Sequence, residues 1–240
     1  MSRIAKFVAG LILIGAAVGI AAGWLWSSDA QAVERVTEHI RTVEIDKDSG
    51  DVVIRADDVS TTEIRESFSY RFDKPDSRAF SVDRGTLTLD GCGWWCTVDY
   101  EIVVPRGATV TGKLNSGNVE LIGIAGGEID INSGDTTLRD IGGPLTVDSD
   151  SGNIEATGLT GDLTVEANSG DVTASFDEPA NVTADVDSGS IELTMPQAQY
   201  QVEGETDSGN RDIQVAVRDD ATHRLQLDTD SGDVFVRMAS

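Results

Sequence analysis

The sequence has few of the residues from which catalytic sites are usually built. Its 240 residues include only two histidines, His39 and His223. It has neither the Gly-x-Ser-x-Gly pattern of a nucleophilic serine nor the His-Glu-x-x-His pattern of a zinc protease. Paired aspartates of the kind that a glycosidase uses would arise by chance in so acidic a chain. We therefore predict a protein without enzymatic activity and without a cofactor.

Basic residues are also scarce. The chain has 18 Lys and Arg against 42 Asp and Glu, which gives a formal net charge of -24. Nucleic acids and anionic lipids bind proteins largely through Lys and Arg, so we do not expect a nucleic-acid partner. We interpret the acidic surface as a solubilising coat over long β edges. Bound cations or a salty habitat are the alternatives.

Long amphipathic helices are missing after residue 40. Proline (5) and aromatic residues (5%) are few, whereas glycine is plentiful (25). Instead, β-branched residues alternate with polar residues, which is the period-two pattern of β-strands. This composition predicts an all-β protein.

A tetrapeptide, Asp/Asn-Ser-Gly-Asp/Asn in its most common form, occurs eight times, once with Ser190 as its last residue. The successive serines are separated by 67, 17, 18, 18, 19, 20 and 23 residues; they are Ser49, Ser116, Ser133, Ser151, Ser169, Ser188, Ser208 and Ser231. A period in this range is typical of a solenoid, in which each repeat buries its apolar face by stacking on its neighbours.

Each repeat contains two short strands, one before and one after the tetrapeptide. Apolar residues alternate at Leu163, Val165 and Ala167, and again at Val172 and Ala174 after the turn. A second turn with a less regular sequence, such as Gly161-Asp162, ends the repeat. The sequence therefore predicts a β-solenoid with about 18–20 residues per rung. Glycine would allow a positive φ at each corner, and the Asp, Asn and Ser side chains would form polar ladders.

The aspartates at the Ser-Gly corners are candidate ligands for calcium. The position before serine is acidic in three successive repeats, at Asp187, Asp207 and Asp230. Carboxylates at turns suit Ca²⁺, but Asn alternates with Asp in the earlier repeats, which indicates avoidance of charge. We favour a purely structural ladder and keep a calcium site as the alternative.

The N-terminus predicts export. Arg3 and Lys6 precede an apolar run from Phe7 to Trp26, which is long enough to span a bilayer as a helix. The basic end should stay in the cytoplasm and the body should lie outside. Ala30-Gln31-Ala32 has the form of a signal-peptidase site, so residues 1–32 are either a retained membrane anchor or a cleaved signal peptide.

The only two cysteines, Cys92 and Cys96, occur in the segment Gly91-Cys-Gly-Trp-Trp-Cys96. In an oxidising compartment they would form a structural disulfide, and the glycines would permit the tight turn. Trp94 and Trp95 on this loop could offer aromatic faces to a sugar or a protein partner. Alternatively, they cover the end of the solenoid core, which is the interpretation that we favour from the sequence.

Residues 33–108 have longer strands and only one tetrapeptide, so we predict an N-terminal β cap of antiparallel hairpins over 33–108 and solenoid repeats over 109–240. The strand Tyr-Glu-Ile-Val-Val-Pro-Arg-Gly-Ala at 100–108, followed by serial Ser-Gly-Asp/Asn repeats, resembles the DUF4097 "putative adhesin" family of bacterial envelope proteins. The resemblance covers about residues 40–238. It implies architecture and brings no catalytic or binding residues with it.

Together these features predict an exported, non-enzymatic envelope protein that acts in adhesion or as a scaffold. Its partners would be the membrane, through an uncleaved N-terminal helix, and an envelope protein or glycan. The main alternative is a regulatory or envelope-stress accessory protein with a ligand-sensing outer domain. A calcium-binding or polysaccharide-acting β-helix is a further alternative.

Overall fold

The computed structural model describes residues 28–72 and 78–239, in which strands, joined by turns and irregular segments, are the only regular secondary structure. The 23 strands, in chain order, are β1 (Ser28–Val36), β2 (Thr42–Ser49), β3 (Val52–Asp57), β4 (Thr62–Tyr70), β5 (Phe80–Asp83), β6 (Thr86–Asp90), β7 (Cys96–Pro105), β8 (Thr109–Ser116), β9 (Val119–Ile122), β10 (Gly127–Ile131), β11 (Thr136–Arg139), β12 (Leu145–Ser149), β13 (Ile154–Leu159), β14 (Leu163–Ser169), β15 (Val172–Phe176), β16 (Val182–Ser188), β17 (Ile191–Met195), β18 (Gln199–Glu203), β19 (Thr206–Ser208), β20 (Arg211–Ile213), β21 (Ala216–Val217), β22 (His223–Ser231) and β23 (Val234–Met238). The all-β prediction is confirmed.

The strands form two long sheets. The first sheet has 11 strands in the order β1-β4-β7-β3-β9-β11-β13-β15-β17-β23-β20. The second sheet has 12 strands in the order β21-β18-β22-β16-β14-β12-β10-β8-β2-β6-β5, with β19 also paired to β22. From β8 to β17 the chain alternates between the sheets, and each strand from β8 to β15 pairs in parallel with the strand one turn later. This is the arrangement of a β-solenoid.

The core lies between the two sheets and is built from residues in register. In the second sheet Val147, Val165 and Ala184 stack on one another and are buried. In the first sheet Ala156 and Ala174 do the same. Because side chains alternate between faces along a strand, a shift of one residue would turn the whole apolar set outward.

The strands of the predicted cap share both sheets with the repeats. β2 pairs in parallel with β8, and β3 pairs in parallel with β9. β6 and β7 then add one more parallel rung outside β2 and β3. Only β1, β4 and β5 are antiparallel, and they close this end of the stack, as the hairpins were expected to do. The parallel stack therefore begins before Thr109.

At the other end, the order of rungs in space differs from their order in the sequence. β22 and β23 pair directly with β16 and β17, whereas β18 and β20 lie outside them. The expectation that all successive corners are neighbours is wrong at this point: the Ser231 corner lies between those of Ser188 and Ser208. The chain extends to the end of the column and then returns by one rung.

The predicted export helix, residues 7–26, lies outside the described residues. Within residues 28–72 and 78–239, no helix has the length and apolar character needed to span a bilayer. The Ala30-Gln31-Ala32 segment is described, and it lies within β1, which pairs with β4 along its whole length.

Candidate functional site

The eight Ser-Gly corners stack into one column along an edge of the two sheets, which we call the corner column. At each step the glycine N–H donates to the serine carbonyl of the next corner. These bonds measure 2.9–3.1 Å from Gly50 to Ser116, Gly117 to Ser133, Gly134 to Ser151, Gly152 to Ser169, Gly170 to Ser188, Gly189 to Ser231 and Gly232 to Ser208. The predicted stacking of corners is confirmed, with the order corrected at the last two.

Glycine is required in the corner column because the corners stack so closely. A Cβ atom on Gly152 would lie 2.0 Å from the carbonyl oxygen of Gly134, and one on Gly170 would lie 2.0 Å from that of Gly152. Gly152 also has a φ of 133°, which side-chain-bearing residues rarely adopt. The requirement for a positive φ was predicted from the sequence. The steric requirement was not, because it depends on a carbonyl oxygen of the neighbouring rung.

The residue after each glycine forms a continuous polar ladder. Its side-chain oxygen accepts a hydrogen bond from the backbone N–H of the equivalent residue on the next rung, at 2.7–3.3 Å. The ladder runs through Asp51, Asn118, Asp135, Asn153, Asp171, Ser190 and Asp233 to Asn210. Asp99 in β7, which follows Val98 and not a glycine, extends it by one rung beyond Asp51. Each side chain therefore satisfies a backbone donor that the turn leaves unpaired.

From Asp51 to Asn210 this ladder alternates strictly between a carboxylate and a neutral side chain. The alternation is complete only in the spatial order, because Asp233 lies between Ser190 and Asn210. Two carboxylates on adjacent rungs, about 5 Å apart, would repel by roughly 1 kcal/mol even in water. Neutral residues at every second rung remove this repulsion without removing the hydrogen bonds.

The residue before each serine forms a second, less regular ladder. Asn115 donates to Asp48 at 2.7 Å, and Asn168 donates to Asp150 at 2.8 Å. Near the C-terminal end the three acids Asp187, Asp230 and Asp207 follow one another in space, in that order. Among the described residues, however, no group of three or more His, Cys, Asp or Glu side chains is arranged to hold a metal ion.

The alternation fails at one step, where the two carboxylates Asp51 and Asp99 are on adjacent rungs. The positive charge of Lys47 lies close enough to offset their repulsion. The Lys47 side chain is only 5% exposed. Its ammonium group donates to the carbonyl oxygen of Val98 at 2.5 Å and lies 4.9 Å from the centre of the Tyr100 ring.

Burial lowers the pKa of Lys47 to about 8, although the negative charges of Asp99 and Asp51 act in the opposite direction. Sequence reasoning missed this residue. The signal was present, because Lys47 takes a core-facing position in the alternation of β2.

The disulfide between Cys92 and Cys96 is confirmed, with the two Cα atoms 5.5 Å apart. Its loop connects β6 to β7 and so takes the place of the Ser-Gly corner in the outermost parallel rung. The disulfide indicates that the protein lies outside the cytoplasm, in an oxidising compartment.

Trp94 and Trp95 project from this loop into solvent. Trp94 is 93% exposed and Trp95 is 62% exposed, so neither indole covers the end of the core. The interpretation that we favoured from the sequence is wrong at this point. Phe72, which is 55% exposed, packs edge-to-face on Trp95 with 5.9 Å between the ring centres. We call Phe72, Trp94 and Trp95 the aromatic patch.

The two histidines lie far from the corner serines. His39 precedes the start of β2, and His223 begins β22, whereas Ser49 and Ser231 end these same strands. A strand of this length separates its ends by about 20 Å or more. The structure therefore does not bring a histidine to the serines of its own rung.

Two solved structures are similar to this chain to different degrees. A putative adhesin from Bacteroides fragilis shares the fold at a TM-score of 0.50 and 13% identity, over 88% of this chain and 98% of that one. A putative cell adhesion protein from Clostridium sporogenes is less similar, with a TM-score of 0.36 and 9% identity over 89% and 100% of the two chains.

Similarity to curated proteins is lacking, since none matches the sequence. The model of one family, described as Toastrack DUF4097, matches residues 35–237. This match spans most of the chain, including the parallel rungs of β2, β3, β6 and β7 that precede the serial repeats. The chain therefore belongs to the Toastrack DUF4097 family.

Proposed function

We propose that the protein acts outside the cytoplasm as a non-enzymatic adhesion or scaffolding protein, held to the membrane by its N-terminal apolar segment. The observation that carries this proposal is the extent of its two sheets, of 11 and 12 strands, which offer rows of side chains in register for contact. The related fold of the Bacteroides fragilis protein, called a putative adhesin, agrees with it.

The two outer faces differ in charge, and the second sheet is the better candidate for the contact surface. On the first sheet, acids pair with arginines, as in Arg139–Glu120 at 2.6 Å and Arg237–Glu192 at 2.9 Å. On the second sheet, Lys113 pairs with Asp130 at one end of an acidic row. The next three acids of the row, Asp148, Glu166 and Asp185, are in register on adjacent strands and take part in none of the ion pairs of the described residues. Threonines Thr146, Thr164 and Thr183 form a parallel row beside them.

Hydroxyl and carboxylate rows of this kind suit a polar partner, either a glycan or a protein surface with basic groups. We propose that such an envelope component is the ligand, that no nucleic acid is bound, and that neither a cofactor nor catalysis takes part.

The proposal is tested with cells that display the full chain. We expect them to bind isolated envelope fractions or neighbouring cells, and we expect the double variant Thr164→Arg, Thr183→Arg to reduce this binding at least tenfold. The matched control is Thr173→Arg with Thr137→Arg on the first sheet, which should leave binding unchanged. If the displayed chain binds nothing, or if both pairs of substitutions act equally, the second sheet is not an adhesive face.

A further inference from the structure

The aromatic patch lies where the chain enters the described structure. Ser28, the first residue of β1, pairs with Tyr70 at the end of β4, and Tyr70 in turn pairs with Cys96 at the start of β7. Phe72 is two residues beyond Tyr70, and the indoles immediately precede Cys96. The N–H of Arg71 donates to the carbonyl of Trp95 at 3.1 Å, which holds the two segments together.

The loop keeps these side chains in solvent. Cys92 and Cys96 close it covalently, and both indoles are exposed on it. Trp95 has a φ of 69°, a left-handed conformation that is unusual for a bulky residue. Unusual backbone conformations of this kind persist where the surrounding structure fixes them, and often at functional positions.

The position of the patch indicates what covers it. One strand, β4, lies between Ser28 on β1 and the loop at the start of β7, so two strand spacings, about 10 Å, separate them along the column. The apolar run ends at Trp26, and the two residues from there to Ser28 span at most about 7 Å. A segment that crosses a bilayer and ends at Trp26 would therefore bring the aromatic patch to the membrane surface.

We propose that the aromatic patch is a second membrane contact, in which Phe72, Trp94 and Trp95 enter the interfacial layer beside the N-terminal anchor. Tryptophan prefers this layer because its ring is apolar and its N–H is polar. The lipid would be zwitterionic, since Asp29, Asp48 and Asp99 lie on the nearby strands and would repel anionic headgroups. Two attachments fix the orientation of the column on the membrane. The inference rests on the membrane anchor of the proposed function.

The test uses the full chain in phosphatidylcholine vesicles whose acyl chains carry bromine close to the headgroup, where it quenches indole fluorescence. Trp24→Phe and Trp26→Phe leave Trp94 and Trp95 as the only tryptophans. A matched control adds Trp94→Phe, Trp95→Phe and Val217→Trp, which moves one exposed indole to β21 at the far end of the second sheet. Circular dichroism confirms that each variant is folded.

We expect the protein to float with the vesicles and to lose at least half of its Trp94 and Trp95 fluorescence, while the indole at position 217 stays unquenched. Unquenched Trp94 and Trp95 in a protein that floats would overturn the proposal and keep the anchor. If Trp94→Ala with Trp95→Ala then also lost cell binding, the patch would be a partner site. Failure to float would reject the anchor and the patch together, whereas equal quenching at both ends would reject a specific contact. None of these outcomes depends on the adhesive face of the second sheet.

Discussion

At the scale of single residues, each corner glycine meets two demands, a positive φ and a neighbouring carbonyl oxygen in the place of a Cβ. Replacing Gly152 by Ala violates both, because the methyl group would lie 2.0 Å from the oxygen of Gly134. We expect Gly152→Ala to lower the free energy of unfolding by about 3 kcal/mol or more, measured by chemical denaturation.

Gly142→Ala is the matched control. A Cβ on Gly142 would meet only the carbonyl oxygen of Ile124, at 3.8 Å, which is an ordinary contact. This variant should change the stability by no more than about 0.5 kcal/mol. Equal effects of the two substitutions would show that the corners are not in contact.

Lys47 gives the stability a specific dependence on pH. Burial lowers the pKa of its ammonium group from 10.5 to about 8. Between these values the unfolded chain holds the proton and the folded chain does not, so the free energy of unfolding rises with pH in this window. The full effect would be about 3 kcal/mol.

Tyr100 sets the upper limit of the pH range in which the free energy of unfolding rises. Burial raises the pKa of its hydroxyl group, so the folded chain keeps this proton after the unfolded chain has lost it, and stability falls again above about pH 10. We expect urea denaturation to show a rise from pH 8 to about pH 10 that disappears in Lys47→Met. A rise of the same size in the variant would mean that Lys47 is not its source.

At the scale of elements, the ladder after the corner glycines tests whether charge dilution stabilises the rungs. Asn153 lies between Asp135 and Asp171, and its side-chain oxygen accepts the N–H of Asp171 at 3.1 Å. Asn153→Asp keeps the shape and this acceptor, and adds only a charge. We expect it to lower the free energy of unfolding by about 1 to 2 kcal/mol at low salt.

This loss should shrink as salt screens the repulsion, which denaturation at two ionic strengths would measure. Gln197→Glu adds the same charge in the exposed loop between β17 and β18, away from both ladders, and should have little effect. Similar losses in the two variants, or a loss that salt does not reduce, would contradict charge dilution.

The regular elements were predictable from the sequence for a simple reason. Within a rung, the alternation of apolar residues and the turn residues are local signals, and every rung repeats them. The stacking of Ser-Gly corners follows, because a rung can bury its apolar face only against another rung. The corner column and its polar ladders were therefore visible before the structure.

The order of the terminal rungs was not predictable in this way. The Ser208 and Ser231 corners carry the same motif, so either could stack on Ser188. One signal is present: Arg211 stands where the other rungs have Val, Ile or Thr, which indicates a displaced strand at this rung but does not give its place in the stack. Such a residue suits an outermost strand, and Arg211 there donates to the carbonyl oxygens of Leu227 and Glu203 at 2.9 and 2.8 Å.

The exposure of Trp94 and Trp95 was the less favoured of the two interpretations that the sequence allowed. Their identity favours burial, whereas the short covalent loop that carries them prevents it. The loop is joined to the end of β4 by the hydrogen bond from Arg71 to Trp95, a contact between segments that are distant in the sequence.

At the scale of the whole molecule, the protein is a column of parallel rungs in which the order in space departs from the order in the sequence at both ends. The outermost parallel rung at the N-terminal end, β6 and β7, follows β2 and β3 in the chain. At the C-terminal end β22 and β23 return inside β18 and β20. Strands that lie far apart in the sequence therefore close both ends of the stack.

The corner column is tested most directly by cysteine trapping at its C-terminal end. Ser188 pairs in register with Ser231, one strand spacing of about 5 Å away, whereas Ser208 lies two spacings away. A disulfide requires Cα atoms about 4.4–6.8 Å apart. We predict that mild oxidation forms the disulfide in Ser188→Cys, Ser231→Cys and does not form it in Ser188→Cys, Ser208→Cys. Trapping of the second pair and not the first would contradict the rung order, and trapping of neither would contradict the stacked column itself.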